Sequence, residues 1–390
     1  MDEVHRNHQK QVENQVEVAV TADELGYDYA LHPEHHFLMQ NGSANNPLFT
    51  QSAVASRTED IRLLQTAIIL PWNEPIRIAE QAAMLDILSD GRVDIGIGIG
   101  TRTLENEPLG QYWGASSQNR AEAWESFEEK YEILVQAWTE NFVDHHGTFH
   151  DVPPKHTIWE NKHDYYYLKH TEDSPAPTEF MSAEGDEVTL NSLPIFPQPK
   201  QDPHPMMWRP TMSEGSVKWA AERGINGAVL PGTISQAKNL IDTYYEVAEE
   251  ADWPDHRPEH DGEPFKFGWD ADRRRGVACC VTVFNTDVAD DETLERWRLG
   301  QEFVQSNNIG AKPDVSGAAI DATPQIESDE TLPMVTDTEG IIERITELKE
   351  AIGYEDFILF VKASNPGLSR EETEAQLRAF SEEVAPHFEE

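Results

Sequence analysis

The chain has 390 residues, 38% of them hydrophobic, so it is long enough to bury a full-size core. Its 72 acidic and 30 basic residues give a formal net charge of −42, which argues against a nucleic-acid partner with a phosphate backbone. The acids accompany 10 Trp, 15 Phe and long aliphatic runs, so the composition is not that of a disordered acidic protein.

The charge distribution predicts a salt-adapted, haloarchaeon-like source. Acidic residues are spread over predicted helix faces and loops, and lysine is sparse. Multimolar salt favours such a surface because it screens charge repulsion within roughly 3 Å. An acidic protein from an ordinary environment is the alternative, and the size of the imbalance disfavours it. The polar first residues and the lack of any apolar stretch near ~18 residues predict a cytoplasmic protein without a membrane partner.

Short apolar runs alternate with amphipathic helical stretches, a pattern typical of βα units around a parallel sheet. Strands are predicted at residues 28–31, 61–70, 93–99, 205–209, 226–230, 276–284 and 357–361. Helices are predicted at residues 11–25, 75–88, 119–139, 213–223, 235–250, 290–307, 338–351 and 369–385. Ser369 followed by Glu372 is a capping box that marks the start of the last helix.

This order predicts an α/β fold, a (β/α)8 TIM barrel forming one domain over residues 1–390. A parallel barrel closes with eight strands, whereas seven are predicted here and the chain opens directly on a helix. We therefore expect the first strand to be missing. Whether the start codon lies too far downstream or another element fills the gap stays open.

Two segments do not fit the repeat and are predicted to be long inserted loops. Residues 144–204 are rich in Pro and hold the aromatic cluster Tyr165, Tyr166 and Tyr167, and residues 252–275 are rich in Pro, Asp and Trp. Loops that follow barrel strands line the catalytic face, so residues 144–204 are a candidate substrate lid. A surface excursion is an equal alternative for that segment, and the better interpretation of the second.

Adjacent Cys279 and Cys280 lie inside an apolar run, which favours small core residues over a redox or metal pair.

A second local signal is stronger. The predicted strand 28–31 runs into a turn that contains His32, Glu34 and His35, followed by His36.

An imidazole at the carboxyl end of a barrel strand can act as a general base or donor near neutral pH. A structural histidine and a metal cluster are the alternatives. A metal site needs three or four convergent ligands, and the later strand ends offer few, so no metal is predicted.

Two further segments are weaker signals. In residues 91–102 every second residue from Gly96 to Gly100 is glycine, so one strand face lacks side chains and could accept a planar ring, or the glycines could simply relieve crowding. The segment 205–221 passes from a strand through Ser213 into a helix, whose amino-terminal N–H groups could bind a phosphate. Ordinary helix capping by Ser213 explains the same residues without a ligand.

Taken together, these segments resemble bacterial luciferase-like flavin-dependent monooxygenases, because they occur in the same order along most of the chain. The resemblance is carried by residues 22–27, 34–37, 46–47, 66–71, 79–81, 85–86, 91–94, 213–221, 356–360, 366–369 and 384–388. Each fragment is ordinary, whereas their joint order is specific.

The resemblance implies particular roles for individual residues. His35 takes the place of the catalytic histidine, and Thr66–Ala67 takes that of a non-proline cis peptide beside the flavin ring. Ser213, with the backbone amides of Glu214 and Gly215, matches the FMN phosphate site. The ring would lie over the glycine strand at Gly98 and Gly100. Many relatives have an arginine where this chain has Ile99, so Arg102 or Arg209 would have to supply a positive charge.

The resemblance also implies a two-component reaction. FMN, reduced by a separate NAD(P)H flavin reductase, would bind O2 and oxidise a small organic substrate through a C4a-peroxyflavin. An oxidoreductase that uses the deazaflavin coenzyme F420 on the same barrel is one alternative. A non-catalytic or degenerate flavin-binding protein is another. Relatives are often dimers, so a homodimer is an expectation of the resemblance alone.

Overall fold

The computed structural model describes residues 2–37, 45–160, 162–170, 176–185, 187–252, 276–308, 332–354, 358–362 and 367–388. The chain forms two compact units, each discontinuous in sequence. The first contains residues 1–68, 92–97 and 206–390, and the second contains residues 69–91 and 98–205. The single domain predicted over residues 1–390 stays a prediction.

The strands are short and alternate with helices. In chain order they are β1 (Tyr29–His32), β2 (Arg62–Gln65), β3 (Ile68–Ile69), β4 (Val93–Gly98), β5 (His145–His146), β6 (Asp151–Val152), β7 (Met181–Glu184), β8 (Glu187–Leu190), β9 (Met207–Thr211), β10 (Asn226–Val229), β11 (Val277–Asn285), β12 (Met334–Thr336) and β13 (Ile358–Lys362). The helices are α1 (Asp2–Glu24), α2 (Pro47–Ala55), α3 (Pro75–Leu88), α4 (Thr103–Gly110), α5 (Arg120–Thr139), α6 (Lys162–Leu168), α7 (Pro177–Phe180), α8 (Glu214–Glu222), α9 (Ile234–Glu250), α10 (Asp291–Asn308), α11 (Thr338–Ile352) and α12 (Arg370–Ala379).

The first unit is built on a parallel sheet with strand order β1-β2-β4-β9-β10-β11-β12, and β13 also pairs with β11. The strand pairs described in this sheet are parallel, in registers such as Leu31 beside Leu64 and Ala228 beside Ala278. The chain therefore has an α/β fold with a curved parallel sheet. Of the predicted strands, 61–70 is divided into β2 and β3. β12 was missed because three residues give too short a pattern to detect.

Local sequence explains where several helices begin. Ser369 and Glu372 form the predicted capping box at α12, with the Ser369 hydroxyl accepting from the Glu372 N–H at 3.2 Å. At α3 the Glu74 carboxylate accepts the N–H groups of Ile76 and Arg77 just before Pro75. The prediction missed α2 and α4, which have 9 and 8 residues and thus fewer than three turns.

The centre of the sheet packs side chains from six strands. Leu64, Trp208, Ala228, Ala278 and Phe360 form this buried cluster, and Tyr29, Leu31, Cys280 and Ile358 pack against it. The rings of Tyr29 and Phe360, from the distant strands β1 and β13, lie 5.5 Å apart. The sheet therefore curves around this cluster, whose side is called the inner face below. Cys279 is buried and Cys280 is part of the inner face, as small core residues.

A buried carboxylate organises the amino ends of the strands. Asp94 is fully buried and accepts hydrogen bonds from the Tyr29 hydroxyl at 3.2 Å and the Trp208 indole at 2.9 Å. It also forms an ion pair with Arg62. Asp94 therefore links β1, β2, β4 and β9 at the end of the sheet opposite to the carboxyl ends of its strands.

The second unit contains α3, α4, α5 and the segment 144–204. The prediction of a long loop over 144–204 is wrong, because the segment forms the antiparallel pairs β5–β6 and β7–β8 and the short helices α6 and α7. Its aromatic residues give it a small core of its own: Phe180, Met181 and Val188, packed by Phe142, Trp159 and Tyr165 among others. Of the second predicted loop, residues 253–275 lie outside the described residues. Among the described helices, none is both long and apolar enough to cross a membrane.

Candidate active site

The histidine-rich turn at the end of β1 separates into buried and accessible side chains. His32 is only 6% exposed and its Nδ1 lies 3.3 Å from Nε2 of Gln51 in α2, while a further hydrogen bond joins its ring to the backbone at Gln15. Burial lowers the pKa of His32 to about 4, against a weaker opposing effect of the Gln15 hydrogen bond. His32 is therefore neutral near pH 7. Its hydrogen bonds connect β1 to α1 and α2.

The residues after His32 lie beyond the strand. Glu34 is 6% exposed, and its carboxylate lies 3.3 Å from Nε2 of His36. His35 is partly exposed, and its carbonyl accepts from Asn45 at 3.2 Å. Of the predicted turn, His35 is thus a solvent-accessible imidazole at the carboxyl edge of the sheet. Among the described residues, no group of three His, Cys, Asp or Glu side chains is placed to hold a metal ion.

Thr66 and Ala67 follow directly on β2, beside the turn. The Thr66 N–H donates to the His32 carbonyl at 3.0 Å, which continues the parallel pairing of β1 and β2. The peptide bond between Thr66 and Ala67 is cis, as the resemblance implied. Thr66 is partly exposed and Ala67 is buried. The structure thus brings the His35 turn and Thr66 to neighbouring strand ends.

The amino end of α8 stands at the same edge of the sheet. Ser213 is the N-cap residue by backbone conformation, but its side chain makes no capping hydrogen bond. The alternative of ordinary capping by the Ser213 hydroxyl is therefore not what the structure shows. The Glu214 carboxylate accepts a hydrogen bond from Nδ2 of Asn239 in α9 at 3.0 Å. Gly215 has open space where a Cβ would stand, so packing does not require a glycine there.

Behind this helix end lies a buried guanidinium. Arg209 in β9 is 2% exposed, and its Nη1 donates to the Ile97 carbonyl at 3.0 Å. Its Nη2 lies 3.4 Å from Oγ of Ser216, in the first turn of α8, and its guanidinium carbon lies 5.6 Å from the centre of the Trp219 ring. The positive charge therefore adds to the positive end of the helix dipole. Arg209 was only a secondary suggestion of the sequence, whereas the structure places it at the predicted phosphate site.

The glycine strand has structural reasons for two of its glycines. A Cβ on Gly96 would stand 1.8 Å from the Gln65 carbonyl oxygen in β2, within the first unit. In the second unit Gly100 has a φ of +77°, and a Cβ there would stand 2.4 Å from Oδ1 of Asn106. Relief of crowding, the alternative left open above, thus accounts for Gly96 and Gly100.

Two predicted cofactor residues of this strand lie with Gly100 in the second unit. Gly98 is buried at the end of β4, and Arg102 is the partly buried N-cap residue of α4. The predicted site residues of the first unit are His35, Thr66, Ala67, Ser213, Glu214 and Gly215. With about 4.8 Å between strands and three steps from β1 to β9, this edge spans roughly 14 Å.

Residues 2–165, which include the His35 turn and the Thr66–Ala67 peptide, match the model of a family described as luciferase-like monooxygenases. This match agrees with the resemblance drawn from the sequence.

Curated relatives are similar to this chain beyond this segment. The oxygenase component of flavin-dependent trigonelline monooxygenase from Acinetobacter baylyi is 24% identical over 390 residues, covering 98% of this chain and 91% of that protein. The uncharacterized protein y4wF of Sinorhizobium fredii is 29% identical over 235 residues, which cover 60% of this chain and 55% of that protein. The matched region thus spans about half the length of y4wF.

Solved structures with a similar fold cover nearly the whole chain. The oxygenating constituent of 3,6-diketocamphane monooxygenase from Pseudomonas putida, in complex with FMN, is similar with a TM-score of 0.66 at 19% identity, covering 97% of this chain and 93% of that one. An F420-dependent secondary alcohol dehydrogenase is similar with a TM-score of 0.60 at 17% identity, covering 96% and 94%. The shared fold therefore serves proteins with either cofactor.

Proposed function

We propose that this protein is the oxygenase component of a two-component monooxygenase that uses reduced FMN and O2 to oxidise a small organic substrate. The observation that carries the proposal is the amino end of α8, with Arg209 behind it, at the same sheet edge as His35. We also infer that the curved parallel sheet is the wall of a (β/α)8-type barrel. A missing first strand and a lid at residues 144–204 stay predictions.

The residues at α8 fit the phosphate of FMN. The N–H groups of Glu214 and Gly215 begin the helix and are not capped by the Ser213 side chain. The Ser213 hydroxyl is exposed and can donate to a phosphate oxygen, while Arg209 adds a positive charge. Gly215 leaves the approach open at a position where alanine would favour the helix by about 1 kcal/mol. These donors match a dianionic ligand.

The other residues of this edge would handle the proton and the ring. His35 is an accessible imidazole there, so it would hold or deliver a proton at the substrate side of the cofactor. Thr66 and Ala67 would contact the ring from the neighbouring strand end. Bound reduced FMN would supply the electrons for reaction with O2, while the protein supplies orientation and a water-poor site.

The reduction of FMN belongs to another protein in this proposal. The Acinetobacter relative is named as an oxygenase component, which supports a separate NAD(P)H flavin reductase as partner. We further propose a cytoplasmic, salt-adapted protein, on the basis of the net charge of −42. Self-association as a homodimer is proposed from the resemblance alone.

Coenzyme F420 is the second candidate cofactor, favoured by the fold similarity to the F420-dependent alcohol dehydrogenase. In that case the reaction would be hydride transfer without O2. A non-catalytic flavin-binding protein is the third possibility. The three proposals differ in which ligand stabilises the protein and in whether oxygen is consumed.

The test measures the melting temperature in high salt with FMN, riboflavin or F420. Binding at 100 times the dissociation constant stabilises the native state by about 2.7 kcal/mol. We expect FMN to raise the melting temperature and riboflavin, which lacks the phosphate, to do so far less. Arg209→Met should remove this difference between the two flavins. If FMN gives no shift in wild type, the FMN proposal is wrong, and a shift with F420 alone supports the alternative.

Catalysis is tested separately with chemically reduced FMN. Wild-type protein should consume O2 and oxidise substrate, and His35→Ala should slow oxidation or release more peroxide per O2 consumed. His36→Ala, in the same turn, is the matched control. Unchanged coupling in His35→Ala would remove His35 from the catalytic role, and FMN binding without any substrate oxidation would support the non-catalytic alternative.

A further inference from the structure

The inner face of the sheet changes character toward the carboxyl ends of its strands. At its centre Cys280 and Phe360 belong to the apolar cluster. Side chains two positions apart on a strand point to the same face, so Thr282 of β11 and Lys362 of β13 continue this inner face beyond the cluster. The apolar wall therefore ends in a hydroxyl and an ammonium group.

Thr282 and Lys362 lie directly beside one another. They are partners in the parallel register of β11 and β13, two positions beyond the pair of Cys280 and Phe360. Thr282 is partly buried and Lys362 is exposed, so both can meet a ligand from the carboxyl end.

Lys362 is a positively charged residue on a strand of a strongly acidic chain. The described strands carry three Lys or Arg residues: Arg62, Arg209 and Lys362. Arg62 lies at the amino end beside Asp94, and Arg209 follows the inner-face residue Trp208, so its side chain points to the other face. Lys362 is therefore the cation of the described strands at the carboxyl end of the inner face. With a net charge of −42 on the chain, an anion would otherwise be repelled there.

An apolar surface accompanies this cation. Leu230 directly follows β10, two positions after the inner-face residue Ala228, and its N–H continues the pairing by donating to the Thr211 carbonyl at 2.9 Å. Its side chain is 42% exposed. With about 4.8 Å between strands and 3.3 Å per residue, Leu230 and Lys362 lie at most roughly 12 Å apart. This separation suits one ring or a short chain with a charged end.

We propose that Lys362 and Thr282 bind the carboxylate of an apolar organic acid, which is the substrate class of this protein. The ammonium would form an ion pair with one carboxylate oxygen, and the Thr282 hydroxyl would donate to the other. Leu230 and the inner-face cluster would contact the apolar part. As a statement about the substrate, this inference rests on the proposed monooxygenase function.

The test compares benzoate with benzamide, a neutral molecule of nearly the same shape. Ligand-observed NMR titrations of the full chain, without flavin, give both dissociation constants at 0.2 M and 2 M salt. We expect wild type to bind benzoate about tenfold more tightly than benzamide at 0.2 M salt, as for one charge-assisted hydrogen-bonded pair, and the preference to shrink at 2 M.

Variants assign the preference to the proposed residues. Lys362→Gln should remove it, Lys362→Arg should retain most of it, and Thr282→Val should weaken benzoate binding without changing benzamide. Lys238→Gln is the matched control, because Lys238 lies on α9 and pairs with Asp242 at 2.9 Å. Circular dichroism confirms that each variant is folded.

Three results would overturn the inference: no benzoate binding, no preference for benzoate in wild type, or equal losses in Lys362→Gln and Lys238→Gln. Its failure can be told apart from failure of the proposed function. If FMN stabilises the chain but benzoate shows no preference, only the carboxylate site is wrong. If the preference is present but FMN does not bind, the monooxygenase proposal is wrong and the anion site stands.

Discussion

Replacement of His32 by Gln tests whether the first histidine of the turn is structural. The folded-state pKa is about 4 because of burial, whereas the ordinary value is 6.5. The His32 ring therefore binds a proton more tightly in the unfolded chain than in the folded protein. The free energy of unfolding has its full value above pH 6.5, where His32 is neutral in both states, and it decreases as the pH falls toward 4. At pH 5 the loss is about 2 kcal/mol, and at full protonation about 3 kcal/mol.

The assay is urea unfolding, followed by tryptophan fluorescence at constant salt, at several pH values between 7.5 and 4.5. Between pH 7.5 and 5, His32→Gln should lose about 2 kcal/mol less of its unfolding free energy than wild type, because it lacks the titrating ring. His387→Gln is the control, since His387 is exposed near the carboxyl end. Equal slopes for wild type and His32→Gln would refute the assignment of His32 as a buried, neutral residue.

Three further changes test the packing. Asp94→Asn should cost about 3 kcal/mol by urea unfolding, the low end for a broken buried pair because the Arg62 side chain is 30% exposed; an unchanged midpoint would contradict the role of Asp94. Gly96→Ala should yield little folded protein, since its Cβ would meet a β2 carbonyl at 1.8 Å, whereas Gly227→Ala, with its nearest neighbour at 3.4 Å, should fold; equal yields would count against the crowding argument. Ser369→Ala should lower stability by about 1 kcal/mol through loss of the helix cap, and no change in melting temperature would exclude that contribution.

Sequence reasoning succeeded where a pattern is local. The alternation of apolar runs and amphipathic helices predicted the parallel α/β order, and the helix at Pro75–Leu88 was predicted with both ends correct. The capping box at Ser369 was confirmed because it depends on residues three positions apart. In contrast, the loop predicted over residues 144–204 contains two strand pairs, whose antiparallel partners pack an aromatic core that proline-rich composition conceals.

The residues of the candidate site show the same division. The sequence by itself determined the histidine-rich turn, the glycine strand and the start of α8, because each is a contiguous run of residues. Only the tertiary structure separated buried His32 from accessible His35, since His32 packs against Gln51 of α2, 19 residues further along the chain. It likewise decided that Arg209 lies behind α8 and that Lys362 lies beside Thr282. Burial and register arise from contacts between separate strands, and a single sequence does not encode them in any local pattern.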